Sequence, residues 1–309
     1  MIKPVKSDLK YLYDLKDGKI KTGLGIGCDA DDYIRLKKAN LCIVCGHDGS
    51  GKTLFLFWYF LCHALINNLT FCVWSGENEK GQILRDLIQM YSGKKLKDLS
   101  YKQIEYYNKK IEAKFTFINN EKLYKPGELL EIFSNTKADV CLIDPYTGLN
   151  RSYDWADNYK FLNECRDFCN KTKKTLFITT HPTTESGRTS MLYPKGSEFE
   201  GHLMPPLRSH IEGGKPFLNR ADLVLIIHRL SKEKTMKYYT MVNVEKVKDQ
   251  QSGGQITGLN DSLLFKYLDG FGFSKGFIDV LHKHRELAKE SQLITDKEKE
   301  LFTGNLRLK

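Results

Sequence analysis

Short, uninterrupted apolar runs alternate with longer stretches of helical periodicity along most of this chain. LCIVC (41–45), TFCVWS (70–75), FTFI (115–118), VCLI (140–143) and TLFIT (175–179) are rich in β-branched and aromatic residues. Runs of this length and composition predict strands buried on both faces, as in a parallel sheet. Helical patterns lie between them, near residues 53–67, 79–91, 126–136 and 156–172. The alternation predicts an α/β fold with a mostly parallel central sheet flanked by helices. Further on, DLVLIIHR, KYYTMVNVEKV and SLLFKY follow one another without helices between them, which predicts a hairpin-rich C-terminal edge.

Two regions break the pattern. From His181 to Asn219 neither period holds, and Gly, Pro, Ser and charged residues dominate. A loop of that length is uncommon in a compact domain unless it serves function. Residues 5–17 predict a short charged helix with Leu9, Leu12 and Tyr13 on one face. The expected organisation is an arm over 1–25, a main domain over 26–275, and a C-terminal helix with a polar tail over 276–309.

Composition narrows the picture. A hydrophobic share of 41% is enough for a proper core. MIKPVKSDLKYL lacks the apolar stretch of a signal or transit peptide, and LFLFWYFLCHALI, broken by His63, is too short to cross a bilayer. The latter reads as a buried helix; the expected location is cytoplasmic, with no membrane partner. Cys42-x-x-Cys45 suggests a metal or redox pair, but residues three apart in a strand face opposite ways, so buried thiols are expected. The net charge of +10 favours an anionic partner, nucleic acid first, although a lysine-rich surface would give the same charge. GKKLKDLSYKQIEYYNKKIEAK reads as helices with solvated basic faces.

Candidate chemistry begins at GHDGSGKT, which fits G-x-x-x-x-G-K-[ST] and sits between a predicted strand and a predicted helix. Gly46, His47, Asp48, Gly49, Ser50 and Gly51 would form a tight turn whose N–H groups face phosphate oxygens. Lys52 supplies a charge to the β- and γ-phosphates, and the Thr53 hydroxyl can ligate Mg²⁺. Such a site needs an acid at the end of another strand, which ADVCLIDPY supplies as Asp144. A carboxylate is also needed to position water. Glu77 follows the strand after the P-loop helix and faces the same crevice; Glu79 competes with it but suits the first turn of the next helix. His181, closing TLFITTH, ends another strand at the same edge, where it can sense a γ-phosphate.

The order of these motifs resembles the RecA-like motor domain of hexameric replicative DNA helicases, the DnaB/Twinkle-like and phage primase-helicase branch. PPLRSHIEGGKPFLNRADLVLIIHR, VNVEKVKDQQSGGQITG and GIGCDADDYIRLKKANLCIVCG carry the likeness beyond the P-loop, over roughly residues 20–270. The resemblance implies a RecA-like P-loop NTPase fold, with ATP and Mg²⁺ as ligands and helicase activity on single-stranded DNA. It further implies a homo-oligomeric ring, expected to be a hexamer, and a bacterial or phage-infected host cytoplasm.

By the same resemblance, Lys246 and Lys248 fall where cations reach the γ-phosphate of the neighbouring subunit. The second is usually arginine, and lysine lacks its bidentate fork. Arg229 and Tyr267 match positions that sandwich the nucleotide base, although Tyr267 reads equally as an ordinary strand aromatic. The Pro182–Lys215 stretch corresponds to the channel lining and offers Arg188, Lys195, Arg208 and Lys215 as contacts to DNA phosphates; each alone also reads as a surface charge. No cysteine cluster able to hold zinc accompanies these motifs, so the sequence resembles the motor part alone, with a separate primase or loader as an expected partner. Two other readings stand beside the helicase: a recombinase or mediator ATPase forming filaments on DNA, and a non-motor nucleotide-binding regulator.

Overall fold

Hydrophobic side chains fill both faces of the inner strands, and that double burial sets the architecture. β1 (Leu41–Cys45), β2 (Phe71–Ser75), β4 (Val140–Asp144), β5 (Thr175–Thr180) and β6 (Leu223–His228) are buried along their whole length. In the computed structural model, which describes residues 6–19, 23–152, 154–258 and 261–292, nine strands form one sheet. The order is β3-β2-β4-β5-β1-β6-β7-β8-β9. Every pairing from β3 (Phe115–Phe117) to β6 is parallel. β7 (Tyr239–Val247), β8 (Leu263–Tyr267) and β9 (Phe273–Lys275) then add antiparallel, as the run of helix-free strands in the sequence suggests.

Helices cover both faces. α2 (Lys52–Ile66) follows the first strand and is buried almost all round, consistent with its continuous apolar sequence. Its Phe55 and Trp58 pack edge-on against Phe265 and Phe273, while Phe60 meets Phe71 and Phe177. Each such fully buried aromatic stabilises the fold by roughly 1.5–3 kcal/mol. α3 (Lys80–Ser92) and α4 (Tyr101–Glu112) lie with α2, whereas α5 (Pro126–Asn135) and α6 (Trp155–Thr172) cover the other core. Cys42 lies in one core and Cys45 in the other, as strand alternation requires, and all eight cysteines are buried and free.

Residues before β1 belong to the domain: Ile26, Ala30, Ile34 and Leu36 enter the core under α2. At the other end a helical run over 282–292 packs on the same core, with buried Arg285 donating to the Met90 carbonyl at 2.8 Å. The expected polar tail lies outside the described residues. α1 (Lys6–Lys16) leaves Leu9, Leu12 and Tyr13 exposed, so no described residue covers its apolar face. Among the described residues no helix is long and apolar enough to cross a membrane.

The expected loop from His181 to Asn219 is more ordered than its composition suggests. It contains short 3₁₀ turns, bridges Pro182↔Ile211 and Leu192↔Leu203, and α7 (Lys215–Arg220), which buries Pro216 and Phe217. A six-residue helix has too few turns to show a period, so KPFLNR passes for loop. Strand ends shift by one residue: β2 begins after Thr70, β3 ends before Ile118, and β4 and β5 extend to Asp144 and Thr180.

Candidate nucleotide site

The chain leaves β1 at Gly46, where backbone approach is so close that no larger residue fits. A Cβ there would lie 2.2 Å from the Ile227 carbonyl oxygen of β6. Gly49 and Gly51 then turn with φ of 69° and 83°, the left-handed region that glycine enters freely. The loop of residues 46–51 leads into the N-terminus of α2, whose first N–H groups have no intrahelical acceptors.

Lys52, almost wholly buried, folds back over this loop, donating to the Gly46 carbonyl at 2.7 Å and the His47 carbonyl at 3.1 Å. Burial lowers its pKa, so an anion at the loop would relieve a real penalty. The Thr53 hydroxyl donates to Asp144, with its oxygen 3.0 Å from Oδ2. Asp144 also accepts from Thr179 at 2.5 Å and Ser75 at 3.3 Å. Burial raises the carboxyl pKa despite these bonds.

A cavity of about 680 Å³ opens over this cluster, lined by Gly49, Lys52, Thr53, Glu77, Asp144 and His181 among others. Glu77 follows β2 and lies 3.6 Å from His181 Nε2; Asp48 lies 2.7 Å from the other ring nitrogen. Glu79 instead occupies the N-cap position of α3, its carbonyl accepting from Ile83, and is absent from the cavity wall. The arrangement suits a phosphate chain with a divalent cation: loop amides and an ammonium for the anion, a hydroxyl and a buried carboxylate for the metal, and a second carboxylate for water. The Ser50 hydroxyl, 4% exposed and without a partner among the described residues, adds an unsatisfied polar group to the loop.

The remaining candidates fall elsewhere. Arg229 stacks over the Tyr267 ring, 5.3 Å from its centroid, with its guanidinium bonded to the Lys237 carbonyl. Lys246 is opposite Val224 in the β6–β7 ladder, and Val247 is opposite Leu223. Lys246 and Lys248 therefore lie toward the start of β6, whereas the P-loop lies beyond the other end of the parallel strands. Lys246 donates to the Leu218 carbonyl; Lys248 lies 3.6 Å from Asp222, which also pairs with Arg166. Asp222 lies within the PPLRSHIEGGKPFLNRADLVLIIHR stretch and Arg166 outside every motif, and the pairing of the two carries no local sequence signal. Arg188, Lys195, Arg208 and Lys215 are all exposed, but on different elements. Arg188 and Lys195 belong to the lobe between Ser186 and Leu203, Arg208 acts on Glu245 and Lys246 beside β7, and Lys215 opens α7.

A mostly parallel nine-stranded sheet, with a glycine-rich loop after its first strand and antiparallel strands at one edge, is the RecA-like ATPase fold of DnaB-type replicative helicases. Among solved structures, the chain is similar to one described as an ATPase domain, with TM-score 0.71 and 13% identity over 89% of this chain and 99% of that one. It is also similar to a DnaB-like replicative helicase described with its interactions with primase, with TM-score 0.65 and 13% identity over 88% of this chain and 67% of that one. No protein-family model and no curated protein matches the sequence.

Proposed function

We propose that this chain is an ATP-hydrolysing DNA helicase motor that translocates on single-stranded DNA as a ring of identical subunits, hexameric as the resemblance of its motifs implies. The observation that carries this reading is the division of charged groups between the two ends of the sheet. One end holds Lys52, Thr53, Asp144, Glu77 and His181 around a single cavity. The other holds Lys248, whose side chain is 62% exposed and too far along the strands to serve its own P-loop. A site completed by a neighbouring copy gives both ends a use, and the uncovered apolar face of α1 gives neighbouring copies a second contact.

In this reading Lys52 binds the β- and γ-phosphates, and Thr53 and Asp144 hold Mg²⁺, which supplies charge neutralisation to the phosphates. Glu77 orients the attacking water, and His181, between Glu77 and Asp48, responds to the γ-phosphate. Arg229 and Tyr267 enclose the base, while Lys246 and Lys248 act toward the adjoining subunit. Arg188, Lys195, Arg208 and Lys215 meet DNA phosphates, and a separate primase or loader is the expected partner.

The test combines ATP turnover with strand displacement. Single-stranded DNA should stimulate hydrolysis, and a forked duplex should open only with ATP and Mg²⁺. DNA-stimulated hydrolysis without strand opening, with filaments in particle images, would instead indicate a recombinase-like ATPase. Hydrolysis indifferent to DNA would leave a nucleotide-binding regulator.

A further inference from the structure

Two histidines tie the segment between β5 and α7 to the nucleotide site. The Ser186 hydroxyl donates to the Thr183 carbonyl at 2.8 Å, so its 3.0 Å contact with His47 Nε2 is an N–H donated by the ring. His228, the last residue of β6, has Nε2 2.9 Å from the Leu203 carbonyl, which can only accept. Both rings thus carry hydrogen on Nε2. The two Nδ1 atoms are buried without a hydrogen-bond partner among the described residues, and the rings meet edge to face at 5.8 Å. Burial lowers the pKa of His47 and takes that of His228 to about 4, which keeps both neutral near pH 7.

These contacts bracket one lobe. Ser186 and Leu203 are its two ends, the Leu192↔Leu203 bridge closes its neck, and exposed Arg188 and Lys195 lie between them. A cavity of about 270 Å³ beneath it is lined by His47, Asp48, Leu192, Leu203 and Arg229 among others. His47 also touches both sides, its backbone carbonyl bonded to the Lys52 ammonium and its ring to the Ser186 hydroxyl at the edge of the lobe. Lys52 donates to the His47 carbonyl, His47 to the Ser186 hydroxyl, and Ser186 to the Thr183 carbonyl. Phosphate that draws Lys52 off the loop carbonyls removes one of the two bonds that hold His47.

We infer that His47, Ser186 and His228 are positioning residues that couple the occupancy of the nucleotide loop to the 186–203 lobe. That the lobe meets DNA rests on the motor reading above; the coupling itself rests on the two histidine anchors. A ligand shifts such an element only through contacts that differ between its arrangements, and the Lys52–His47 bond is one that phosphate would replace.

The experiment measures amide hydrogen exchange across 186–203, and affinity for single-stranded DNA, each with and without a non-hydrolysable ATP analogue and Mg²⁺. It compares the native chain with Ser186→Ala, which removes the acceptor of the His47 N–H, and Ser186→Thr, which keeps a hydroxyl. In the native chain the analogue should slow exchange in the lobe and change DNA affinity by roughly 5- to 150-fold. Ser186→Ala should lose most of both effects, Ser186→Thr should restore them, and analogue affinity without DNA should stay within about twofold in either variant. Full nucleotide-dependent exchange in Ser186→Ala, or a native lobe indifferent to the analogue, overturns the coupling. Exchange that responds while DNA affinity does not refutes the DNA reading and leaves the coupling supported.

Discussion

The Thr53 hydroxyl and the Asp144 carboxylate meet at 3.0 Å, joining the start of the P-loop helix to the end of β4. Asp144 is fully enclosed; its Oδ1 accepts from Thr179 and its Oδ2 from Thr53 and Ser75, so an amide keeps its oxygen toward one set of hydroxyls while its NH₂ donates to the other. Asp144→Asn should therefore fold normally, with Tm unchanged or higher, because a buried carboxylate no longer has to ionise. ATP turnover should fall at least ~100-fold across a Mg²⁺ titration if Asp144 holds the metal as proposed, because the amide carries no charge for it. Turnover near the native rate at saturating Mg²⁺ would remove Asp144 from the metal site.

Glu77 lines the cavity and Glu79 sits outside it at the N-cap position of α3, so the two carboxylates should separate cleanly in kinetics. Glu77→Gln should retain ATP binding and lose roughly 100-fold or more in turnover, the scale of a displaced acid–base group. Glu79→Gln should hydrolyse ATP close to the native rate. The reverse result would transfer the water-positioning role to Glu79.

Arg229 and Tyr267 occupy each other in this structure. A ring inserted between them needs about 3.5 Å on each side, or roughly 7 Å in all, against the 5.3 Å seen. If they clasp the base, ATP must part them. Tyr267→Ala should then weaken ATP binding by roughly 5- to 150-fold, the ~1–3 kcal/mol of a base–aromatic stack, and leave inorganic triphosphate binding unchanged. Equal loss for both ligands would show that Tyr267 only supports the fold.

The gathering of Lys52, Thr53, Glu77, Asp144 and His181 around one cavity was legible because its signals are local. Residues 46–53 are contiguous, and Asp144, Glu77 and His181 each terminate or follow an apolar run, which places them at one sheet edge. The parallel core and the antiparallel edge followed from the same runs. Contacts between distant residues with no periodic signature were hidden. Ser186 meets His47 across 139 residues, and Asp222 gathers Arg166 and Lys248 at the far end of β6. α7 escaped because six residues cannot display a helical period.

His63 gives a pH prediction whose sign follows from burial. It is fully enclosed in α2, its Nδ1 facing the Asn67 amide at 2.9 Å, and burial takes its pKa from 6.5 to about 3. Near pH 5 the unfolded chain binds a proton that the folded chain refuses, so stability is present above pH 6.5 and declines as pH falls toward 3. From pH 7 to pH 5 this one group should remove about 2 kcal/mol. Denaturant melts of His63→Gln should show a smaller loss over that interval than the native chain. An unchanged pH dependence would mean that the site admits the proton.

In the proposed motor the nucleotide site is shared between copies, so mixing two defective subunits should rebuild intact sites. Lys52 and Lys248 lie toward opposite ends of the sheet, and in the proposed ring the Lys248 of one copy would approach the P-loop of the next. Lys52→Ala and Lys248→Ala should each be inactive alone. Mixed under conditions where subunits exchange, they form some interfaces with both defects and some with neither, and DNA-stimulated ATP hydrolysis should partly recover. A mixture that stays inactive while a labelled-subunit assay shows exchange would contradict the shared site and, with it, the proposed motor.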